Sequence, residues 1–203
     1  MRAQFDEYLS LLSDAGKGAG WVAAAIALAV YGERRDRRAA VASTAAMFAA
    51  IGLAQGPLKA LVRRKRPWAL KTVRVVGPKT ADFSFPSGHT SGSFAAASAL
   101  ATFYPERAPL LISAAVAVGA SRVYLGHHYV TDVLAGAGLG SAVGLVCAGL
   151  LQSRVGQSVD RLADELPVLA AAPDEHPAAA GGAPLTVPNG GGPLVETEQD
   201  RIG

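Results

Sequence analysis

Val133-Leu-Ala-Gly-Ala-Gly-Leu-Gly-Ser-Ala-Val-Gly-Leu-Val-Cys-Ala-Gly-Leu-Leu-Gln152 contains no charged side chain and is apolar on every face of a helix. The hydrocarbon core of a bilayer takes about 20 such residues in a helix. The glycines at 136, 138, 140, 144 and 149 strengthen the membrane reading. In water each would cost a helix about 1 kcal/mol relative to alanine, whereas in lipid small residues let helices approach closely. Four further apolar stretches run from 16 to 32, 39 to 58, 90 to 104 and 108 to 120. The second has spanning length by itself, the first is short, and the third and fourth reach that length only with polar residues at their ends. The expected fold is all-α: a polytopic membrane helical bundle of about five to six helices. A soluble, alanine-rich bundle is the alternative, and the uncharged run to Gln152 weighs against it.

Composition agrees. Of 203 residues, 50% are hydrophobic and only 17% charged, with a mean hydropathy of +0.26, whereas soluble domains carry about 25% charged residues. A single cysteine, Cys147, excludes an internal disulfide framework and a cysteine-rich metal centre. The net charge of +3 hides a polarity: residues 1–159 hold 17 Lys and Arg against 8 Asp and Glu, and residues 160–203 hold 2 against 8. The basic segments alternate with long apolar runs, which argues against a nucleic-acid partner. Residues 1–15 read as an interfacial amphipathic segment or a capped extension of the first apolar stretch, with no signal-peptide pattern. Residues 16–160 form the membrane domain. Residues 161–203, rich in Pro, Gly and Ala and acidic, read as a disordered tail.

The polar residues of interest sit where apolar stretches end. Lys59-Ala-Leu-Val-Arg-Arg-Lys-Arg66-Pro67 closes the second, Phe85-Pro86-Ser87-Gly88-His89-Thr90 opens the third, and Ser121-Arg122 through His127-His128 to Asp132 joins the fourth to the fifth. Alternating topology puts all three clusters on one side of the membrane. If a helix continued past Lys59, Lys59, Arg63 and Arg66 would share a face, and three cations there call for an anion. Ser87 has the position of an N-cap, and Gly88 lets a ligand approach the free amides at the helix start. His128 and Asp132 are one helical turn apart, so the carboxylate can orient the imidazole as a nucleophile or base. His127 is its rival, and Arg122 offers a fork suited to phosphate oxygens. A zinc site is disfavoured by the surrounding cations and by the lack of a His-x-x-x-His spacing, and Ser87 lacks the Gly-x-Ser-x-Gly context of a serine hydrolase.

Taken together, Lys59-x6-Arg66-Pro67, Pro86-Ser87-Gly88-His89 and Ser121-Arg122-x5-His128-x3-Asp132 resemble the type 2 phosphatidic acid phosphatase family, which shares its core with vanadium haloperoxidases. The resemblance implies a metal-independent phosphatase without a cofactor. His128 would attack phosphorus and Asp132 would orient it. His89 would protonate the leaving group and then activate water. Lys59, Arg66 and Arg122, helped by Ser87 and Gly88, would hold the phosphate. Arg63, Arg64 and Lys65 fall in the variable part of the first motif and read as headgroup contacts. The implied partners are membrane lipids and a lipid phosphate or polyprenyl diphosphate substrate, with oligomeric state left open. A haloperoxidase-like enzyme using vanadate and a non-catalytic lipid-binding or transport module are the alternatives. The family resemblance places the site on the extracytoplasmic side of the cell membrane. The positive-inside rule points the other way, with eight Lys and Arg in 59–79 against four in 33–38.

Overall fold

The computed structural model describes residues 2–70, 73–153 and 158. The expected acidic tail lies outside the described residues. Helix α1 (Arg2–Asp14) runs through a π turn, Ala15–Ala19, into α2 (Gly20–Tyr31). A capping box at Glu33 and Asp36 starts α3 (Arg34–Leu53), which continues through a second π turn into the short α4 (Lys59–Val62). A long loop leads to α5 (Gly88–Phe103), followed by α6 (Ala108–Tyr124) and α7 (Val130–Gln152). The described residues contain helices and loops, and no strand.

Helix α5 is the centre of the bundle, packed on α3, α6 and α7. Its neighbours approach closely because the contact residues are small: Ala42, Ala46 and Ala50 of α3, Ala95 and Ala99 of α5 and Ala148 of α7 are fully buried. On α7 the buried positions Asp132, Gly136, Gly140, Gly144 and Ala148 recur every fourth residue. A Cβ at Gly136 would come within 2.8 Å of the Ser87 carbonyl oxygen, and one at Gly140 would collide with that of Ser91. Only part of the glycine content serves this contact, since Gly138 and Gly149 face open space. The stripe has a consequence for the site. It clamps the start of α7 to the start of α5, where Ser87 N donates to the Asp132 carbonyl at 3.1 Å.

Two helical stretches, Arg34–Leu70 and Val130–Gln152, are long and apolar enough to cross a bilayer. The buried core of a water-soluble bundle would enclose such a helix, yet only 22% of the apolar window in Val130–Gln152 is buried. Leu134, Leu145, Val146 and Leu150 of α7 are exposed, as are Ile26 and Val30 of α2 and Val41 and Phe48 of α3. An apolar exterior over a small-residue interior is the pattern that lipid favours.

Polar contacts gather at the two ends of the bundle. At one end Tyr104 donates to Asp36 and Arg35 to the Phe103 carbonyl. At the other, α1 lies against the end of α6: Phe5 meets Tyr124 edge-on at 5.2 Å, and Asp6 pairs with Arg74. This second end also carries all three sequence clusters.

Candidate active site

The first cluster departs from the expected helix. Helix α4 stops at Val62 because Arg63 adopts a left-handed conformation, φ 48°, which costs a non-glycine residue energy and ends the run. Lys59, Arg63 and Arg66 therefore do not share a helical face. The chain turns back, and Ser84 N donates to the Arg64 carbonyl at 2.8 Å, drawing the 82–86 segment beneath it. Arg66, 5% exposed, is buried by this fold.

The second cluster forms as its residues suggest. Ser87 is the N-cap of α5, and its Oγ accepts from the Thr90 hydroxyl at 2.9 Å and from Thr90 N at 3.4 Å. A Cβ on Gly88 would come within 3.0 Å of Gln55, so the glycine admits α3's continuation against the helix start.

The third cluster depends on Gly126, whose φ of 76° and close approach to Arg74 exclude a side chain. The turn it makes directs the N–H groups of His127 and His128 at the Arg122 carbonyl, at 3.1 and 3.3 Å. Asp132 accepts from Tyr129 N at 2.9 Å and is fully buried. It lies beside His128 as the spacing suggests, with Nδ1 3.6 Å from Asp132 Oδ2, but the shorter contact of Nδ1, 2.8 Å, is to the Ser84 carbonyl. A carbonyl only accepts, so Nδ1 carries the proton and the lone pair lies on Nε2. That nitrogen is 3.4 Å from Arg66 Nη1. Burial pushes the His128 imidazole down to about 4, against the opposing pull of Asp132. Its ring is therefore neutral at pH 7.

Four residues complete the site that sequence reasoning did not place in it. Asp82 binds both cations of the first motif, accepting from Arg66 Nη2 at 2.7 Å and from Lys59 Nζ. Burial works against the Asp82 charge, but the bonds from Lys59 and Thr80 and the Arg66 charge hold its carboxyl well below the usual range. Asp82 had a sequence signal, being the one acidic residue between Asp36 and Glu106 in a stretch crowded with Lys and Arg. Arg64 does not face outward as a headgroup contact alone. Its Nη1 lies 2.9 Å from Asp132 Oδ1 and 2.6 Å from the Thr131 hydroxyl, with the guanidinium 3.9 Å above the Tyr129 ring. Ser84 fixes His128, and Ser13 of α1 accepts from Arg122 Nη1 at 2.7 Å. Neither serine lies in a motif, so no local pattern marks it. His89 and Arg122 line a common cavity with His127, Arg66 of the first cluster reaches His128 of the third, and Ser87 of the second bonds the Asp132 carbonyl. The three clusters thus converge at one end of the bundle.

Residues 39–155 match the family model of the PAP2 superfamily. The chain belongs to the PAP2 superfamily. Over 128 residues this PAP2 chain is 34% identical to decaprenylphosphoryl-5-phosphoribose phosphatase of Mycobacterium tuberculosis, covering 63% of the chain and 69% of the relative. Over 89 residues it is 39% identical to undecaprenyl-diphosphatase BcrC of Bacillus subtilis, covering 42% of each, so that match spans less than half of the relative. In fold, the PAP2 chain resembles the crystal structure of a transmembrane PAP2-type phosphatidylglycerolphosphate phosphatase from Bacillus subtilis, with a TM-score of 0.58 at 23% identity. That likeness covers 73% of this chain and 77% of the other. The all-α fold is therefore that of a helical membrane protein.

Proposed function

We propose that this PAP2 chain hydrolyses lipid phosphates or polyprenyl diphosphates through a phosphohistidine formed on His128. The observation carrying this reading is the His128 tautomer: Nδ1–H is engaged by the Ser84 carbonyl, and Nε2 keeps its lone pair beside Arg66. In the first step the Nε2 pair forms a bond to phosphorus. The phosphorus–oxygen bond breaks, and its electron pair leaves with the lipid or lipid-phosphate oxygen, which takes a proton from His89. In the second step water attacks phosphorus, gives its proton to His89, and releases phosphate as the phosphorus–nitrogen bond breaks.

Lys59, Arg66 and Arg122 supply the positive charge that phosphoryl transfer requires. Asp132 keeps a negative charge near the imidazolium that forms, and Ser87 with Gly88 completes the phosphate cradle. Asp82 occupies the two cations until substrate takes its place. These assignments draw support from the convergence of the clusters and from the names of the relatives, all phosphatases.

The spanning segments in this reading are α2, α3 with α4, α5, α6 and α7, with the site outside the cytoplasm. Ion pairing weakens the opposing charge count: Lys59, Arg64, Arg66 and Arg74 are engaged by carboxylates, so half of the eight cations in 59–79 have a local counter-charge.

The test is phosphate release from a lipid phosphate in detergent with EDTA present, together with trapping of labelled enzyme under alkaline quench. Wild type should release phosphate and retain label on His128, and His128→Ala should do neither. Label on another residue would refute the mechanism.

A further inference from the structure

At the end of the bundle away from the three clusters, a groove of about 490 Å³ opens between α2 on one side and α5 and α6 on the other. It exists because α2 packs chiefly on α3 and leaves a gap toward α5 and α6. Ala24, Ala27 and Leu28 of α2 line it together with Leu100 of α5 and Leu111 of α6. From Ala24 to Tyr31 the helical rise gives a slot about 10 Å long. Its volume falls in the range of about 300–1,000 Å³ that small-molecule sites take. The walls are apolar, and the charged residues of the lining, Asp36 and Arg107, stand with Tyr104 at one mouth.

That mouth is basic. The two chain turns that form it, 32–38 and 104–108, hold Arg34, Arg35, Arg37, Arg38 and Arg107 against Glu33, Asp36 and Glu106. Asp36 is already engaged, accepting from the Tyr104 hydroxyl and from Glu33 N at 2.9 Å. Arg35 and Arg107 both stand over the Tyr104 ring, 5.1 and 5.7 Å from its centroid. Arg35 also donates to the Phe103 carbonyl. Arg107 is exposed and pairs with an equally exposed Glu106 at 4.0 Å, and a surface pair of that length holds a charge weakly. Its guanidinium can therefore turn to an anion at the mouth without losing a strong bond.

An apolar slot that ends among guanidinium groups matches an acyl chain carrying an anionic headgroup. We propose that the groove holds one anionic phospholipid, its acyl chain between α2 and the α5–α6 pair and its phosphodiester on Arg107. Charge complementarity decides the headgroup. A zwitterionic lipid brings its own cation to a mouth where cations are already in excess, whereas basic pockets between spanning helices take anionic headgroups. Tyr31, exposed at the same mouth, has the place of an interfacial aromatic anchor. The lipid fills the gap that α2 leaves and ties α2 to α5 and α6. The site is apart from the three clusters, so the proposal stands whether or not His128 is the nucleophile.

The experiment titrates the full chain, stripped of lipid in detergent, with dioleoyl phosphatidylglycerol, dioleoyl phosphatidylcholine and glycerol 3-phosphate. Native mass spectrometry counts bound molecules, and Tm is followed in parallel. Wild type should retain one phosphatidylglycerol, about tenfold or more tightly than phosphatidylcholine, and gain Tm with it. Arg107→Gln should weaken that binding about fivefold, and so should Ala27→Phe, which fills the slot from an exposed position. Both side chains are exposed, so both variants should match wild type in Tm without lipid. Glycerol 3-phosphate can reach the catalytic cations, and its binding should be the same in wild type and both variants. Equal affinity for the two phospholipids, or phosphatidylglycerol binding that neither variant weakens, would overturn the proposal. Loss of glycerol 3-phosphate binding in Arg107→Gln would make a free phosphate the ligand and overturn it as well.

Discussion

Arg66 holds Asp82 by a 2.7 Å bond from Nη2, while its other terminal nitrogen stands 3.4 Å from His128 Nε2. One guanidinium thus joins an internal carboxylate to the ring proposed to attack phosphorus. Asp82 also accepts from Lys59, so it engages both cations of the first motif as a phosphoryl group would.

Removing that internal anion should favour external ones. In Asp82→Asn, inorganic phosphate and vanadate are expected to inhibit about tenfold more strongly than in wild type, because charge-assisted bonds no longer have to be exchanged. Inhibition constants for both anions, measured at fixed ionic strength, check this. Unchanged or weaker inhibition would show that Asp82 orients Lys59 and Arg66 rather than competing for them.

Arg64 separates two roles by kinetics. Its contact with Asp132 predicts that Arg64→Gln lowers kcat about tenfold with little change in KM, since a buried carboxylate loses a partner and shifts against His128. A headgroup contact alone would instead raise KM in anionic vesicles and leave kcat unaltered. Steady-state kinetics in mixed micelles of two charge compositions distinguish the outcomes.

The glycine stripe makes a paired prediction. Gly140→Ala puts a methyl against the Ser91 carbonyl, and overpacking of this kind costs about 1–3 kcal/mol. Gly138→Ala meets nothing within 4 Å and should be neutral or slightly stabilising. Thermal unfolding in detergent should show a clear fall in Tm for the first and none for the second. Activity should follow Tm, because the same stripe clamps Asp132 to Ser87.

The helical bundle and the convergence of the clusters were legible in the sequence because both follow from where apolar stretches begin and end. The uncharged run to Gln152 became α7, and its period-four glycines became the contact with α5. What stayed hidden was chain reversal. Nothing local announces that Arg63 will turn left-handed, and that turn is what sends Arg64 to Asp132 and brings Ser84 under His128. The i,i+4 spacing brings Asp132 within 3.6 Å of His128 Nδ1, but the nearer partner of that nitrogen is a loop carbonyl 44 residues away in sequence, which no local pattern marks. The role of α1 was hidden for the same reason, since Ser13 meets Arg122 across 109 residues.

Orientation can be tested without turnover. With Cys147 replaced by Ala, a single cysteine at Lys79 should react with a membrane-impermeant maleimide in intact cells. One at Arg37 should react only after permeabilisation. The reverse labelling would place the site on the cytoplasmic side and uphold the uncorrected charge count.

The protonation of His128 gives a prediction in both spectroscopy and stability. Burial holds its folded pKa at about 4, below the ordinary 6.5. Between those values the unfolded chain binds a proton that the folded ring does not, so stability rises with pH across the window and is lost as pH falls from about 6.5 toward about 4. Nitrogen-15 spectra of labelled histidine should show the His128 ring neutral at pH 5.5, with Nδ1 as the protonated nitrogen. In His128→Asn, which removes the titrating ring, the Tm of the detergent-solubilised protein should fall less steeply between pH 6.5 and pH 5 than in wild type. His127 is also held low, by burial and the nearby Arg122 charge, so part of the slope should persist in that variant. A His128 signal that titrates near 6.5 would mean that the ring is open to water and that the Ser84 carbonyl does not fix its tautomer.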